Sequence, residues 1–190
     1  MNEDSQPLAD AHAEPVEIMD AQAIRRALQR IAHEILERNP DPQRLIMVGV
    51  PSRGVEISAR LAAMTGESEG CRIDCGTLDV SMHRDDLGLR ATPPAVRASH
   101  LPYDLEERTV ILADDVFFTG RTARAALDAL LSFGRPAMVQ LAVLVDRGHR
   151  ELPIRPDYVG KNLPTARRER VIVRLENVDD VGDRVTVVKP

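Results

Sequence analysis

Residues 110–122 read Val-Ile-Leu-Ala-Asp-Asp-Val-Phe-Phe-Thr-Gly-Arg-Thr: an apolar run, an acidic pair and a Thr-Gly turn, placed directly ahead of a helical pattern. Few folds accommodate that order. Residues 110–113 read as a buried strand with Asp114 and Asp115 at its end. A helix opens at Thr119-Gly120-Arg121-Thr122 and continues as Ala-Arg-Ala-Ala-Leu-Asp-Ala-Leu-Leu. The first amides of a helix have no internal partner and carry the positive end of its dipole, so the turn is built to hold an anion, phosphate above all. Gly120 lets the backbone approach closely, and Thr119 and Thr122 add hydroxyl donors. Asp114 and Asp115 are placed to accept hydrogen bonds from vicinal sugar hydroxyls, directly or through magnesium. Turn formation alone does not require such an acidic pair.

Other phosphate-holding patterns are excluded by position. The triphosphate loop Gly-x-x-x-x-Gly-Lys-Ser/Thr needs a lysine where Arg121 stands and a glycine where Asp115 stands. The dinucleotide pattern Gly-x-Gly-x-x-Gly is also missing.

Residues 1–17 carry Ala, Pro, Glu and Asp without periodicity and read as a flexible tail, followed by a single domain over 18–190. Ile24, Leu28, Ile31 and Ile35 recur at helical spacing behind the N-cap Asp20, and Asn39-Pro40 stops the run. Residues 45–50 read as a buried strand, Pro51-Ser52-Arg53-Gly54 as a turn, and 55–64 as a helix closed by Gly66. Next come a strand over 72–82 and a long, weakly periodic excursion over 83–108. The motif strand, its helix ending at Gly134 and a strand over 137–145 follow. This alternation predicts an α/β fold, a parallel sheet flanked by helices. Residues 171–175 and 184–188 read as a hairpin attached to that sheet. In open parallel sheets, ligands bind where loops leave the carboxyl ends of strands, so Ser52-Arg53-Gly54 and residues 114–122 face one crevice. Ser52-Arg53-Gly54 can hold a second anion through amides freed by Gly54 and the charge of Arg53.

With 190 residues, 43% of them hydrophobic and 29% charged, the chain can bury one substantial core. Its apolar runs are far shorter than a bilayer needs. The opening Met-Asn-Glu-Asp-Ser-Gln is acidic where a signal peptide is basic, so a cytoplasmic protein without a membrane partner is expected. Cys71 and Cys75 read as buried thiols on one strand face, outside the Cys-x-x-Cys spacing of redox and zinc sites. Without a His or Cys cluster, any metal arrives with the substrate.

Residues 112–122 resemble the phosphoribosyl-pyrophosphate motif of the type I phosphoribosyltransferases. Ile24-Arg25-Arg26-Ala27-Leu28-Gln29-Arg30-Ile31-Ala32-His33-Glu34-Ile35, Ser52-Arg53-Gly54-Val55, Leu78-Asp79-Val80 with Arg84-Asp85-Asp86-Leu87, and Val145-Asp146-Arg147-Gly148-His149-Arg150-Glu151-Leu152-Pro153-Ile154 narrow the resemblance to the PyrR family, over about residues 18–175. The family regulates pyrimidine operons by binding messenger RNA and has uracil phosphoribosyltransferase activity. The resemblance implies a type I phosphoribosyltransferase-like sheet with a small hood and a flexible lid loop. It implies ribose and Mg2+ contacts at Asp114 and Asp115, and a substrate cradle over Val116, Phe117, Phe118, Thr119, Gly120, Arg121 and Thr122. Pyrophosphate falls to Ser52, Arg53 and Gly54, the family commonly having Thr where Ser52 stands. Arg84 on the lid, beside Asp85 and Asp86, would neutralise departing pyrophosphate while the closed loop excludes water. Val145 and Arg147 belong to the segment implied to close over uracil, with backbone amides and Arg147 reading its carbonyls. Purine-specific relatives usually carry an acid just before the Thr-Gly. Phe118 is apolar there, which favours a pyrimidine. The implied chemistry displaces pyrophosphate from phosphoribosyl pyrophosphate by a uracil nitrogen to give UMP, through positioning and charge stabilisation.

A formal net charge of −5 opposes nucleic-acid binding by the chain as a whole. Locally, Arg26, Arg30 and His33 share one helix stripe, flanked by Arg25 and Arg38, and Lys161 with Arg167, Arg168 and Arg170 forms another basic cluster. The resemblance implies RNA contacts at Arg30, His33 and Lys161, with Gln29 standing where the family usually has Thr. The sequence thus reads as a cytoplasmic uracil phosphoribosyltransferase, a homo-oligomer (dimer or tetramer) with a messenger-RNA leader as partner. The alternatives are a nucleotide-sensing RNA-binding regulator with little catalysis and a purine salvage phosphoribosyltransferase.

Overall fold

The computed structural model describes residues 14–83, 98–102 and 104–190. A short strand, β1 (Val16–Met19), leads into α1 (Ala21–Arg38), whose N-terminus is capped by the Asp20 carboxylate accepting the Ala23 amide at 2.7 Å. The stripe Ile24, Leu28, Ile31 and Ile35 is buried, as its spacing predicts. At the helix end the Asn39 amide donates to the Ile35 carbonyl at 2.9 Å, and its side chain donates to Gln140 at 3.0 Å.

Five strands and two helices follow: β2 (Leu45–Gly49), α2 (Arg53–Glu69), β3 (Asp74–Thr77), β4 (Thr109–Phe117), α3 (Arg121–Leu131), β5 (Met138–Asp146) and β6 (Tyr158–Asn162). The strands make a five-stranded parallel sheet in the order β3-β2-β4-β5-β6. Successive residues of β2 and β4 point to opposite faces. Met47, Ile111 and Ala113 pack in one core with the apolar stripes of α1 and α2, and Ile46, Val48, Val110 and Leu112 pack in another with α3. Burial on both faces is why these strands read as continuous apolar runs. Truncating one such side chain, Ile31→Ala for example, is expected to cost about 2–5 kcal/mol. None of the described helices is long and apolar enough to cross a membrane.

The structure corrects several expectations. The C-terminal strands, β7 (Arg170–Arg174) and β8 (Arg184–Val188), joined by the short helix α4 (Glu176–Asp179), do not attach to the main sheet. They form a separate antiparallel hood in the order β1-β8-β7, so Val16 and Glu17, assigned from sequence to the tail, are strand. The second helix runs through Gly66, because that glycine serves close packing: a Cβ there would lie 2.5 Å from the Cys71 carbonyl oxygen. Gly70, with φ of 62°, ends it instead. β3 stops at Thr77, which turns aside to bridge His100. Cys75 lies on the edge strand β3 and is exposed, while Cys71 precedes that strand and is half-buried, where two buried thiols on one strand face were expected. The motif strand continues through the acidic pair to Phe117 because β5 runs alongside it, pairing Asp114 with Val143 and Phe117 with Asp146. β6 escaped sequence reading, since its Tyr-Val-Gly-Lys-Asn run holds one fully buried side chain, Tyr158. The core of the expected lid, with Arg84, Asp85 and Asp86, lies outside the described residues.

Candidate active site

β2 and β4 are neighbours, yet the chain leaves β2 towards β3 on one side and leaves β4 towards β5 on the other. The two connections cannot fill the space between their starting points, so a crevice opens at these carboxyl ends. Ser52-Arg53-Gly54 and residues 114–122 bound it. The two loops touch at Gly54, where a Cβ would lie 2.4 Å from the Ala113 carbonyl oxygen and 3.2 Å from the Asp114 Cα. The missing side chain lets the start of α2 rest on β4.

The loop after β4 is built from main-chain contacts. Asp114 and Asp115 are half-buried, and each carboxylate accepts the amide of the following residue at 2.9 Å. Gly120, at φ of 90°, takes the left-handed conformation that the turn into α3 requires, and its carbonyl accepts the Arg124 amide at 2.9 Å. The Thr119 carbonyl accepts the amides of Glu151 and Leu152 at 2.9 and 3.3 Å. Outside the turn, Glu151 pairs with Arg121 at 3.0 Å and with Arg167 at 3.3 Å. The resulting pocket, of about 170 Å³, is lined by Asp114, residues 116–123, Leu141 and Val143. Its size suits one phosphate-like group, well below the volume of a whole nucleotide site.

The turn after β2 is held differently. Its Pro51–Ser52 peptide is cis. Arg53, expected to face an anion, donates from Nε to Asp179 Oδ2 at 2.9 Å and from Nη2 to Oδ1 at 2.5 Å. Asp179 also accepts Arg174 Nη1 at 2.8 Å and the Leu175 amide at 2.9 Å. The hydrogen bonds from Arg53, Leu175 and Arg174 hold the Asp179 carboxyl far below the usual carboxylate range against the opposing effect of burial. Arg53 is raised in turn, chiefly by its bond to Asp179, and the charge of Asp115 on the opposite loop adds to this. The guanidinium therefore sits within the field of Asp115.

Near the expected base segment, Val145 is fully buried and in register with Val116 and Lys161. The Arg147 amide donates to the Phe117 carbonyl at 2.9 Å. Its side chain is turned towards residues 165–169, with Nε donating to Thr165 Oγ1 at 2.9 Å and Nη2 to the Glu169 carbonyl at 2.6 Å. Burial pushes its pKa down. The guanidinium lies 4.1 Å from the centroid of the Phe118 ring, which also meets the edge of His149 at 5.3 Å. Arg147 thus reaches the site as a plate stacked on Phe118. Sequence reasoning missed Asp146, which is buried and accepts the Gly148 amide at 2.8 Å and Arg150 at 2.5 Å. Its signal was the Asp-Arg-Gly turn. Glu151 and Asp179 carried no comparable signal.

Arg26, Arg30 and His33 are exposed on α1. Arg30 Nη2 donates to the Val159 and Gly160 carbonyls at 2.9 and 2.8 Å, while Nη1 pairs with Glu34. This docks the helix stripe beside β6, next to the exposed Lys161. Gln29 lies apart, lining a groove with Arg25, Leu28, Arg60 and Asp183.

Comparison with known proteins agrees with this architecture. The phosphoribosyl transferase domain family matches residues 16–174. The chain is 55% identical over 173 residues to the bifunctional protein PyrR of Roseiflexus sp. (strain RS-1), covering 91% of this chain and 94% of that one. It is 53% identical over 172 residues to the bifunctional protein PyrR of Bacillus cereus (strain AH820), covering 90% and 95%. Among solved structures, the hypoxanthine phosphoribosyltransferase of Trypanosoma cruzi matches with a TM-score of 0.69 at 17% identity, over 92% of this chain and 97% of that one. A hypoxanthine-guanine phosphoribosyltransferase from Bacillus anthracis matches with a TM-score of 0.70 at 12% identity, over 91% and 97%. At those identities the structures share the fold alone.

Proposed function

The chain belongs to the PyrR family, bifunctional proteins built on the phosphoribosyl transferase domain, and from that premise we propose that its crevice makes UMP from uracil and phosphoribosyl pyrophosphate. One observation carries this reading: β2 and β4 are neighbours, and the Ser52-Arg53-Gly54 turn that follows β2 rests at Gly54 on the backbone of Ala113 and Asp114, in the strand whose acidic pair leads into the Thr-Gly turn. Two anion-holding loops then flank a pair of carboxylates, which matches a sugar bearing a phosphate at one end and a diphosphate at the other.

In this arrangement the amides and hydroxyls of residues 119–122 hold the 5-phosphate. Asp114 and Asp115 accept the vicinal ribose hydroxyls, and residues 52–54 receive the pyrophosphate. A uracil nitrogen bonds to the anomeric carbon while the carbon–oxygen bond breaks, its electron pair leaving with pyrophosphate and the uracil N–H proton passing to solvent. No side chain forms a covalent bond, so the protein acts by orientation and fixed charge. Adjacent carboxylates are the hard oxygen donors that Mg2+ prefers, and among the described residues no third His, Cys, Asp or Glu joins them. The remaining ligands would come from phosphoribosyl pyrophosphate and water. When bound, the ion supplies positive charge to the departing pyrophosphate. Phe118, held between Arg147 and His149, offers an apolar ring where a purine would need a hydrogen-bonding acid, which supports a pyrimidine.

The test is UMP formation from uracil, phosphoribosyl pyrophosphate and Mg2+, with hypoxanthine and guanine as competing bases. Turnover with uracil alone is expected, falling by on the order of 10²-fold or more in Asp115→Asn. Turnover with purines would overturn the base assignment.

The second activity we propose is UMP-responsive binding of a pyrimidine-transcript leader, supported by the docking of Arg30 beside Lys161 with Arg26 and His33 exposed on the same side. Binding should weaken as salt rises and in Lys161→Ala, and should not extend to a scrambled RNA. A cytoplasmic location goes with these partners. Exposed Leu131, Phe133 and Met138, around the α3–β5 connection, support assembly into a dimer or tetramer.

A further inference from the structure

The segment between β7 and β8 is fastened along one stripe of α2. Arg53 pairs with Asp179, Asn177 Nδ2 donates to Glu56 at 2.7 Å, and Arg60 pairs with Asp183. Positions 53, 56 and 60 lie on one helix face, so the hood runs along the first turns of α2. The Asp179 contact differs from the other two. Asn177 and Asp183 hold the body of the helix, whereas Asp179 holds the residue that opens it, within the turn at 52–54. The Asp179 side chain is 7% exposed and takes donors from Arg53, Arg174 and Leu175, so the carboxylate cannot swing. Side-on pairing through Nε and Nη2 fixes the plane of the guanidinium as well. Arg53 itself keeps 27% exposure and lies within the field of Asp115 across the crevice. Asp179 lies beyond the matched phosphoribosyl transferase region, which ends at residue 174.

We propose that Asp179 is a positioning residue for the pyrophosphate subsite, fixing the Arg53 guanidinium so that its outer edge meets the diphosphate of phosphoribosyl pyrophosphate. The inference rests on assigning pyrophosphate to residues 52–54. It gives the C-terminal hood a part in substrate binding without substrate contact. An arginine already held in place loses little rotamer freedom when the anion arrives, so losing Asp179 weakens ligands that carry pyrophosphate and spares the base.

The experiment compares Asp179→Asn with Asp183→Asn, which loosens the same hood two turns further along α2. Readouts are calorimetric Kd for magnesium pyrophosphate and phosphoribosyl pyrophosphate, KM for each substrate, and melting temperature. In Asp179→Asn, both pyrophosphate-bearing ligands should weaken about tenfold, as expected for a disrupted charged hydrogen bond, with the uracil KM unchanged. Asp183→Asn should bind both as the parent does, and Asp179→Asn should add nothing in an Arg53→Lys background. Equal weakening in the two aspartate variants would overturn the proposal, as would undiminished binding in Asp179→Asn or a full effect in the lysine background. If Asp179→Asn fails to fold, Arg53→Lys alone decides: it keeps the charge and loses the fork, and parental affinity would overturn the proposal. A parent that binds pyrophosphate but does not turn over uracil would sink the enzymatic reading and leave this one standing.

Discussion

The two loops at the crevice hold their shape by different physics. The loop after β4 is fixed by amides and carbonyls: the Thr119 carbonyl accepts from Glu151 and Leu152, and the Gly120 carbonyl accepts from Arg124. The turn after β2 is fixed by an ion pair whose partners stand 126 residues apart. A loop built from main-chain contacts depends on what each residue permits the backbone to do. A loop fixed by an ion pair depends on a partner that can be removed by one substitution or one proton. The first kind should therefore resist most side-chain changes and fail at its glycine, while the second should respond to charge.

The contact point between the loops is where this division breaks, and the largest effect is expected there. Gly54→Ala places a Cβ against the Ala113 carbonyl and the Asp114 backbone, so the start of α2 must move away from β4. Both loops then lose register. UMP formation should fall by on the order of 10²-fold, as sub-ångström misplacement of reacting groups allows. Denaturant unfolding should record about 1–3 kcal/mol lost to overpacking. If only pyrophosphate affinity fell, the loops would be independent and the comparison would need a boundary between them. Gly120→Ala sharpens the comparison. It forces an L side chain to φ of 90° in the loop after β4 alone, with Phe117 3.4 Å from the new Cβ. Strain of about 1–3 kcal/mol should appear as a higher KM for phosphoribosyl pyrophosphate, while affinity for free pyrophosphate stays at the parental value.

The same division explains what could be read from sequence. The turn between β4 and α3 was legible because a main-chain device writes itself in local residue types: Asp-Asp near a strand end, Thr-Gly at a helix start, Gly120 at a left-handed turn. The parallel core was legible because double-sided burial makes apolar runs, and Asp20 marked its helix start through a local cap. Asp179 was not legible. Nothing near Asp179-Asp180 in the chain distinguishes a carboxylate that reaches α2 from one facing solvent; the hood's packing decides it. The orientation of Arg147 was not legible for a related reason. Its side chain finds acceptors at Thr165 and the Glu169 carbonyl, some twenty residues on, which no local pattern announces. Strands β1 and β6 were missed because each is short and buries a single side chain, and each gains strand geometry only from its neighbour.

The smallest expected effect separates the loops by pH. Asp179 is ionised in the folded protein to well below the usual carboxylate range, held there first by Arg53. An unfolded aspartate titrates near pH 4, so below about that value the unfolded chain binds a proton that the folded chain still excludes. The stabilisation from this group is therefore fully present at neutral pH and lost as pH falls through the folded value. Arg53 and Arg174 remain 27% and 43% exposed, so solvent screens part of the interaction, and a contribution on the order of 1 kcal/mol is expected. Melting temperature should consequently fall more steeply between about pH 5 and pH 3 in the parent than in Asp179→Asn, with the two curves converging in acid. Gly120→Ala should run parallel to the parent over the same range, since its strain carries no proton. A parallel Asp179→Asn curve would mean that the turn after β2 is held by packing, and the contrast between the two loops would reduce to which residues build them.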